Sequence, residues 1–414
     1  MTAAISRDDA LALDANDPIA VFRDRFALPR DVIYLDGNSL GPPPLTTHER
    51  VNEVLSREWS ADLIGGWTKH QWIDLPDRIA GVIASLIGAS PGEVAVADST
   101  SLNVFKLLSA ALTMRPDRSV ILSEHENFPT DLYMAQGLVE LLGEKASLRL
   151  VDRADLEGGL GSDVAVLMLT HVDFRSGEMH DMAARTADAH ASGALVLWDL
   201  SHSAGAVPLE LDRDEVDLAV GCGYKYLNGG PGAPAFAFVA DRHREDLRSP
   251  LSGWMGHASP FDFGTAYLPA PGVARLLVGT PPILSLAALE CGVASIAEIG
   301  IDHLRAKSVE LTDFFIALVE SRCQGHGFEI ISPRDGAHRG SQVSLAHSEG
   351  YAIMQALIAA GVVGDFRPPD LLRFGFAPAY LRFVDVWDAV AKLREIMESA
   401  AWDRADFQVR AKVT

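Results

Sequence analysis

Short runs of apolar residues recur along the middle of the chain, spaced by segments of helical length. "EVAVAD" (93–98), "SVILSE" (119–124), "VAVLMLT" (164–170), "ALVLWDL" (194–200) and "DLAVGCG" (217–223) are each bounded by turn residues. Strands that are apolar at nearly every position are buried on both faces. The pattern therefore predicts a mainly parallel sheet with helices on either side, an α/β fold. In such a sheet ligands gather beyond the carboxyl ends of the strands, so chemistry is to be sought just after each run.

The flanks read differently. Ser6, and Asp17 before Pro18, have the form of helix N-caps, and "VIYLDGNSLGPPP" reads as an extended approach ending in a loop. From "TPPILSLAALECGVASIAEIG" onward the chain turns helical. Leu311, Phe314, Phe315 and Leu318 then follow the spacing of an amphipathic helix, as core residues. "FEIISP", "SQVSLAHS", "VVGDFRP" and "LLRFGFAP" read as strands of a smaller unit, and "VDVWDAVAKLREIMESAAW" as a closing helix. The expected division is an N-terminal arm with helices over 1–65, a large domain over 66–284 and a smaller C-terminal α/β domain over 285–414. Its 414 residues are too many for one ordinary core.

Composition narrows the classes of function. Hydrophobic content of 48% with 22% charged residues suits a globular chain, and 35 bases against 56 acids give a net charge of −21. That field repels nucleic acid and anionic membrane surfaces, leaving a small molecule as the expected partner. No apolar run approaches the roughly 18 residues of a membrane helix. "MTAAISRDDALALD" lacks the basic and apolar regions of a secretory signal. Cys222, Cys291 and Cys323 form no metal-binding or disulfide spacing, so a reduced, cytoplasmic chain is expected.

The strand ends carry the candidate chemistry. Ser99, Thr100 and Ser101 open a helix after the first run, either as a plain N-cap or as a phosphate cradle. Phe128 and Asp131 follow the second run in "HENFPTDLY". Asp199 closes the fourth, with His202 three positions on; a carboxylate there must cap, pair with a cation or serve chemistry. Together with His171 and Asp173 this pair also admits a metal reading, but no other metal spacing accompanies it, and no metal is expected. Ser201-His202-Ser203 suggests a serine hydrolase, but the chain has no GxSxG elbow. Lys225 is the odd residue. A lysine is ordinarily at the surface, yet "GCGY" and "YLNGGPGAP" surround this one with small, apolar, turn-forming neighbours. Desolvation of that kind is what an imine-forming lysine needs. Pyridoxal phosphate asks for such a lysine, a carboxylate at its ring nitrogen, a phosphate cradle and an aromatic face. Lys225, Asp199, the Ser99–Ser101 turn and Phe128 supply one each.

At this point the order "NSLG", "FPTD", "DLSHSAGAVPLEL", "GYKYLNGGPGAP", "GW" and "GTPPILSL" resembles the kynureninase family, over about residues 34–380. The resemblance implies the aspartate-aminotransferase-like fold type I, bound pyridoxal 5'-phosphate and a homodimer with active sites at its interface. It implies Lys225 as covalent anchor, Asp199 at the ring nitrogen with His202 beside it, and Phe128 stacked on the ring. Pro129, Thr130, Asp131 and Thr170 complete the pocket, and Thr100, Ser101 and Tyr224 reach the phosphate. Trp254 and Thr280 are expected from the second subunit; some members carry Asn where Thr280 stands, which removes an amide from that position. Arg373 would clamp the substrate α-carboxylate, with Asn38, Ser39 and Trp72 lining the substrate side. The implied reaction is hydrolysis of L-kynurenine, or its 3-hydroxy form, to anthranilate (3-hydroxyanthranilate) and L-alanine, in tryptophan breakdown or NAD biosynthesis. Lys225 and Tyr224 would move the protons.

Rivals share the fold or abandon it. A cysteine desulfurase, selenocysteine lyase or class V aminotransferase would keep Lys225, and the first would use Cys323 in "ESRCQGHG" as a loop nucleophile. An idle scaffold would have lost Lys225, Asp199 or Arg373. All three are present.

Overall fold

The structure, a computed structural model, describes residues 5–410. The first four residues of the N-terminal stretch read above lie outside it. The strands are β1 (Ile33–Tyr34), β2 (Val94–Val96), β3 (Val120–Glu124), β4 (Ser147–Val151), β5 (Val164–Thr170), β6 (Leu195–Asp199), β7 (Leu218–Gly221) and β8 (Phe236–Val239). They are followed by β9 (Glu329–Ile330), β10 (Gln342–Ala346), β11 (Val362–Val363), β12 (Asp365–Arg367) and β13 (Leu371–Gly375). A seven-stranded sheet runs in the order β2-β8-β7-β6-β5-β3-β4. It is parallel except for β8, which pairs antiparallel with both β2 and β7.

The apolar runs become strands because both of their faces are covered. Val166 and Met168 of β5 join one cluster with Val104 and Leu107 of the helix Thr100–Met114 and with Leu132 and Ala135 of the helix Pro129–Leu142. Leu167 and Leu169, one position out of phase, join the opposite cluster with Ile79, Ile83, Met182 and Leu289. The period of two thus sorts one strand into two cores. Each such side chain contributes about 1.5–3 kcal/mol by leaving water.

Two strands were not among the expected runs. β4 is an edge strand whose "SLRLV" is exposed or half-buried throughout, so it lacks the continuous apolar signature. β8 is fully buried but lies in "APAFAFVA", directly behind the lysine turn, where small residues mask the strand.

The C-terminal strands form a four-stranded antiparallel sheet, β12-β13-β10-β9. The expected helix over 311–318 is the middle of Ile301–Arg322, with Leu311, Phe315 and Leu318 buried and Phe314 packed edge-on against Phe383. The N-terminal segment is tied to this half: β1 pairs with β11, and the helix Arg7–Ala15 lies against the helix Phe383–Ser399. Ser6 caps Arg7–Ala15 with a full capping box, as its position suggested. Asp17 does not cap an α-helix. Its Oδ1 accepts from the Ile19 amide at 3.0 Å, its Oδ2 pairs with buried Lys307 at 2.7 Å, and a 3₁₀ turn over Ala20–Arg25 follows.

Candidate active site

The parallel strands deliver their carboxyl ends to one edge of the large sheet. Thr170 ends β5, Asp199 ends β6 directly opposite it, and β7 pairs with β6 at Val220, five residues before Lys225. The lysine opens a turn in which the Asn228 amide donates to the Lys225 carbonyl at 2.9 Å. Gly41 of the "NSLG" loop presses on that turn. Its amide donates to the Tyr224 carbonyl at 2.8 Å, and a Cβ there would sit 2.3 Å from the Lys225 carbonyl oxygen, so no larger residue fits without moving the lysine.

Lys225 is 8% exposed and, among the described residues, has no carboxylate within ion-pair distance. Its Nζ instead stands 5.8 Å from the Phe128 ring centroid and 5.9 Å from that of Tyr224. Phe128 precedes the helix Pro129–Leu142, with Pro129 at the first helical position and Thr130 half-buried behind it. Phe174 packs edge-on against the Phe128 ring at 5.2 Å. Asp131, in the first turn of the same helix, is buried against Asp199. Burial, reinforced by the Asp199 charge, raises its carboxyl well above the usual range. Asp199 Oδ1 accepts from the Ser201 amide at 2.8 Å. Burial, and then the Lys225 charge, hold the His202 imidazole well below its ordinary value, so the ring is neutral. Burial, with Cys222 adjacent, pushes the Tyr224 phenol upward, which keeps its proton in place.

These residues pass a test for pyridoxal phosphate. Thr100 Oγ1, Asp131 Oδ2 and His202 Nδ1 are buried polar atoms with no hydrogen-bond partner among the described residues. Such atoms are costly to leave unmatched. Asp131 and His202 both feel the Lys225 charge, and Thr100 opens the helix after β2. Ser99 Oγ caps the helix Thr100–Met114 by accepting from the Leu102 amide at 3.4 Å, and Ser101 stands half-buried in the same first turn, at the helix end that favours an anion.

Asn127 is a further residue of the site that the sequence pattern does not mark. Its Oδ1 accepts from the Phe128 amide (2.8 Å), the Thr170 amide (3.1 Å) and Thr170 Oγ1 (2.5 Å), while its Nδ2 donates to Ser123 Oγ at 2.9 Å. It ties the end of β3 to the end of β5. A polar residue between a strand and a helix-opening proline is the one signal that could have pointed to it.

Arg373 lies on β13, buried to 2% exposure, and is not presented alone. Its Nε donates to Asp365 Oδ1 at 2.8 Å and its Nη2 to Asp365 Oδ2; Nη1 donates to the Phe174 carbonyl at 2.7 Å and Nη2 to Ser39 Oγ at 2.9 Å. The Asn38 amide, oriented with its oxygen 3.1 Å from Arg373 Nε and its nitrogen 3.3 Å from Asp36 Oδ1, completes this wall. A Cβ on Gly375 would fall 1.9 Å from the end of the Asn38 carboxamide, so only glycine permits that approach. Asn38, Ser39 and Arg373 therefore stand together.

Three expected residues lie apart from this cluster within one chain. Trp72 packs edge-on against Trp67 at 5.9 Å, and its Nε1 donates to Glu58 at 2.7 Å, in a separate cluster with Val54 and Ala287. Exposed Trp254 and Thr280 line a cavity of about 610 Å³ with Ile64, Trp67 and Phe261, none of which belongs to the Lys225 group. Cys323 is not a loop residue: it caps the helix Ile301–Arg322, is 3% exposed, and burial pushes its thiol up to about 11. Among the described residues no group of three or more His, Cys, Asp or Glu is placed to hold a metal ion, and no single helix is long and apolar enough to cross a membrane.

Solved structures share this architecture. The cysteine desulfurase of Thermococcus onnurineus NA1 superposes with a TM-score of 0.77, covering 92% of this chain and 98% of its own at 18% identity. A C-DES variant with glycine covalently linked to its PLP cofactor gives 0.77, covering 90% and 99% at 17% identity. At that identity the likeness is one of fold. Fold and lysine-centred site together define a pyridoxal-phosphate enzyme of fold type I. The particular family comes from sequence. Kynureninases of Burkholderia pseudomallei (strain K96243) and Pseudomonas fluorescens are 52% and 51% identical to the chain, each over 99% of it and 100% of their own length. Residues 304–393 match the kynureninase C-terminal domain. The chain belongs to the kynureninase family.

Proposed function

We propose that the chain is a pyridoxal-phosphate-dependent hydrolase that cleaves L-kynurenine with water to anthranilate and L-alanine, and its 3-hydroxy form to 3-hydroxyanthranilate. The observation that carries this reading is the buried Lys225, facing Phe128 and one strand from Asp199, in a chain half identical to kynureninases from end to end.

Pyridoxal phosphate, when bound, supplies an electron sink that stabilises negative charge developing on substrate carbon. The chain's own residues do the rest. Lys225 would anchor the cofactor and, once released by substrate, take the α-proton on its Nζ. Asp199 would hold a proton at the ring nitrogen, with Asp131 and neutral His202 filling the other buried polar positions around it. Phe128 would stack on the ring, and Thr100, Ser101 and Tyr224 would hold the phosphate, with Thr130 and Thr170 closing the pocket. Tyr224 keeps its proton at neutral pH and can pass it to the alanine carbon after the Cβ–Cγ bond breaks. Arg373 holds the α-carboxylate, with Asn38 and Ser39 alongside.

The same reading covers assembly and setting. The division into an arm (1–65), a cofactor unit (66–284) and a smaller unit (285–414) is supported by the separate sheets at 94–239 and 329–375. A homodimer is supported by the apolar residues left exposed near Trp254, among them Ile64 (81%), Phe261 (61%) and Phe263 (79%). Trp254 and Thr280 would then complete the partner's site, and Trp72 would stand behind them. A cytoplasmic enzyme of tryptophan breakdown or NAD biosynthesis is the corresponding role.

The test is an absorbance spectrum of purified protein followed by addition of L-kynurenine. A visible band of lysine-bound cofactor and growing anthranilate fluorescence are the expected result. The band without anthranilate would overturn the substrate, and no band after added pyridoxal phosphate would overturn the cofactor.

A further inference from the structure

Arg373 is held more firmly than a strand arginine requires. Asp365 lies directly across the β12–β13 ladder from it and is 1% exposed. Its two oxygens take the Nε and Nη2 edge of the guanidinium, the bidentate geometry in which this pair is strongest. Two further elements fix the other edge. Ser39 Oγ accepts from Nη2 at 2.9 Å while donating to Asp365 Oδ2 at 2.7 Å, and the Phe174 carbonyl, from the loop after β5, accepts from Nη1 at 2.7 Å. A guanidinium carries five N–H donors. Four are engaged by these contacts, and the fifth, on Nη1, has no partner among the described residues.

The charge count points the same way. Arg367, two positions along β12 and so on the same face as Asp365, also donates to Asp365 Oδ2, at 2.7 Å. One acid thus serves two arginines, and the trio carries a net positive charge. An anion from outside would neutralise it.

Resting on the reading that Arg373 binds the substrate α-carboxylate, we infer that Asp365 is the positioning residue for that contact. It locks the guanidinium side-on, so that the one free donor, on Nη1, faces the carboxylate in a single orientation. Arg367 keeps the locked pair net positive. Phe174, whose carbonyl holds Nη1 and whose ring packs against Phe128, links the carboxylate end of the site to the aromatic face near Lys225.

The experiment compares Asp365→Asn, Asp365→Glu and Arg373→Gln holoenzymes. It measures kcat and KM for L-kynurenine and competitive inhibition by decarboxylated L-kynurenine, the same amine without its α-carboxylate. Thermal melts and the visible band report folding. For Asp365→Asn the expected result is a KM raised about tenfold or more, kcat within about threefold, and unchanged inhibition by the decarboxylated amine. Asp365→Glu should recover part of the KM. Arg373→Gln should raise KM and also leave the amine unaffected. Equal weakening of substrate and amine by Asp365→Asn, or a fall in kcat with KM unchanged, would overturn the inference while leaving Arg373 in its role. An unchanged KM in Arg373→Gln would overturn the carboxylate reading and the inference with it. If Asp365→Asn does not fold, Asp365→Asn/Arg367→Gln, which removes one charge of each sign, carries the same measurements read against Arg367→Gln alone: a KM raised beyond that of the single variant supports the inference, and an equal KM overturns it.

Discussion

Lys225 and Asp36 are the two residues whose chemistry can be read most directly. Among the described residues Lys225 has aromatic faces around it in place of a counter-ion, which suits an amine meant to form a bond rather than a salt bridge. Lys225→Ala should lose the visible band and essentially all turnover, and a band surviving in that variant would sink its assignment as anchor. Asp36 sits half-buried beside Asp365, and burial, with the Asp365 charge second, raises its carboxyl to about 7. Its ordinary value is 3.8. Between those two values the folded protein keeps a proton that the unfolded chain has released. The stability from this group is therefore full below about 4 and is lost as pH climbs through about 7. Ionised, Asp36 adds negative charge to a wall that already holds Asp365, Arg367, Arg373, Tyr34, Tyr226 and Tyr380. KM for L-kynurenine should accordingly rise as pH passes about 7, and Asp36→Asn should flatten that limb of the KM profile. A limb of equal slope in the variant would assign it to another group.

Among elements, the strand-end loops decide whether the site holds its shape. Asn127 joins two of them through one carboxamide. Asn127→Ala would strip partners from the Phe128 and Thr170 amides, each buried loss being of the order of 1–3 kcal/mol. A lower melting temperature and weaker pyridoxal phosphate binding in a fluorescence titration are expected, and an unchanged titration would show the loops to be held otherwise. The strands before these loops were legible because parallel strands buried on both faces are apolar throughout, and their ends pointed to Asp199 and the lysine turn, whereas Thr170 came from the resemblance. Edge strand β4 and small-residue strand β8 were not, since neither shows that signature. Arg373 was found by resemblance, but Asp365 was not: an acid in "VVGDFRP" reads as an exposed strand residue until the ladder sets it opposite the arginine. Contacts across 8 residues of sequence and two strands belong to register, which local pattern does not carry.

For the whole molecule the open end is Trp254. Within one chain it and Thr280 face a cavity that none of the Lys225 group lines, and Trp254 leans edge-on against exposed Phe261 at 5.7 Å. Apolar residues exposed to that degree are ordinarily covered by a partner. If the cover is a second copy in a two-fold dimer, each site takes its lysine from one subunit and its tryptophan from the other. That arrangement can be tested by mixing. Lys225→Ala and Trp254→Ala are each expected to be nearly inactive alone. After joint unfolding and refolding, or co-expression, random pairing makes half of the dimers mixed, and each mixed dimer holds one site with both native residues. Activity should recover to about a quarter of the native value, the fraction that two-fold pairing allows. Were Trp254 to act within its own chain, every site in the mixture would lack one residue, and activity would stay at the level of the two variants. Recovery thus requires the Trp254 of one chain to act on the Lys225 of another, and the size of the recovery counts the sites.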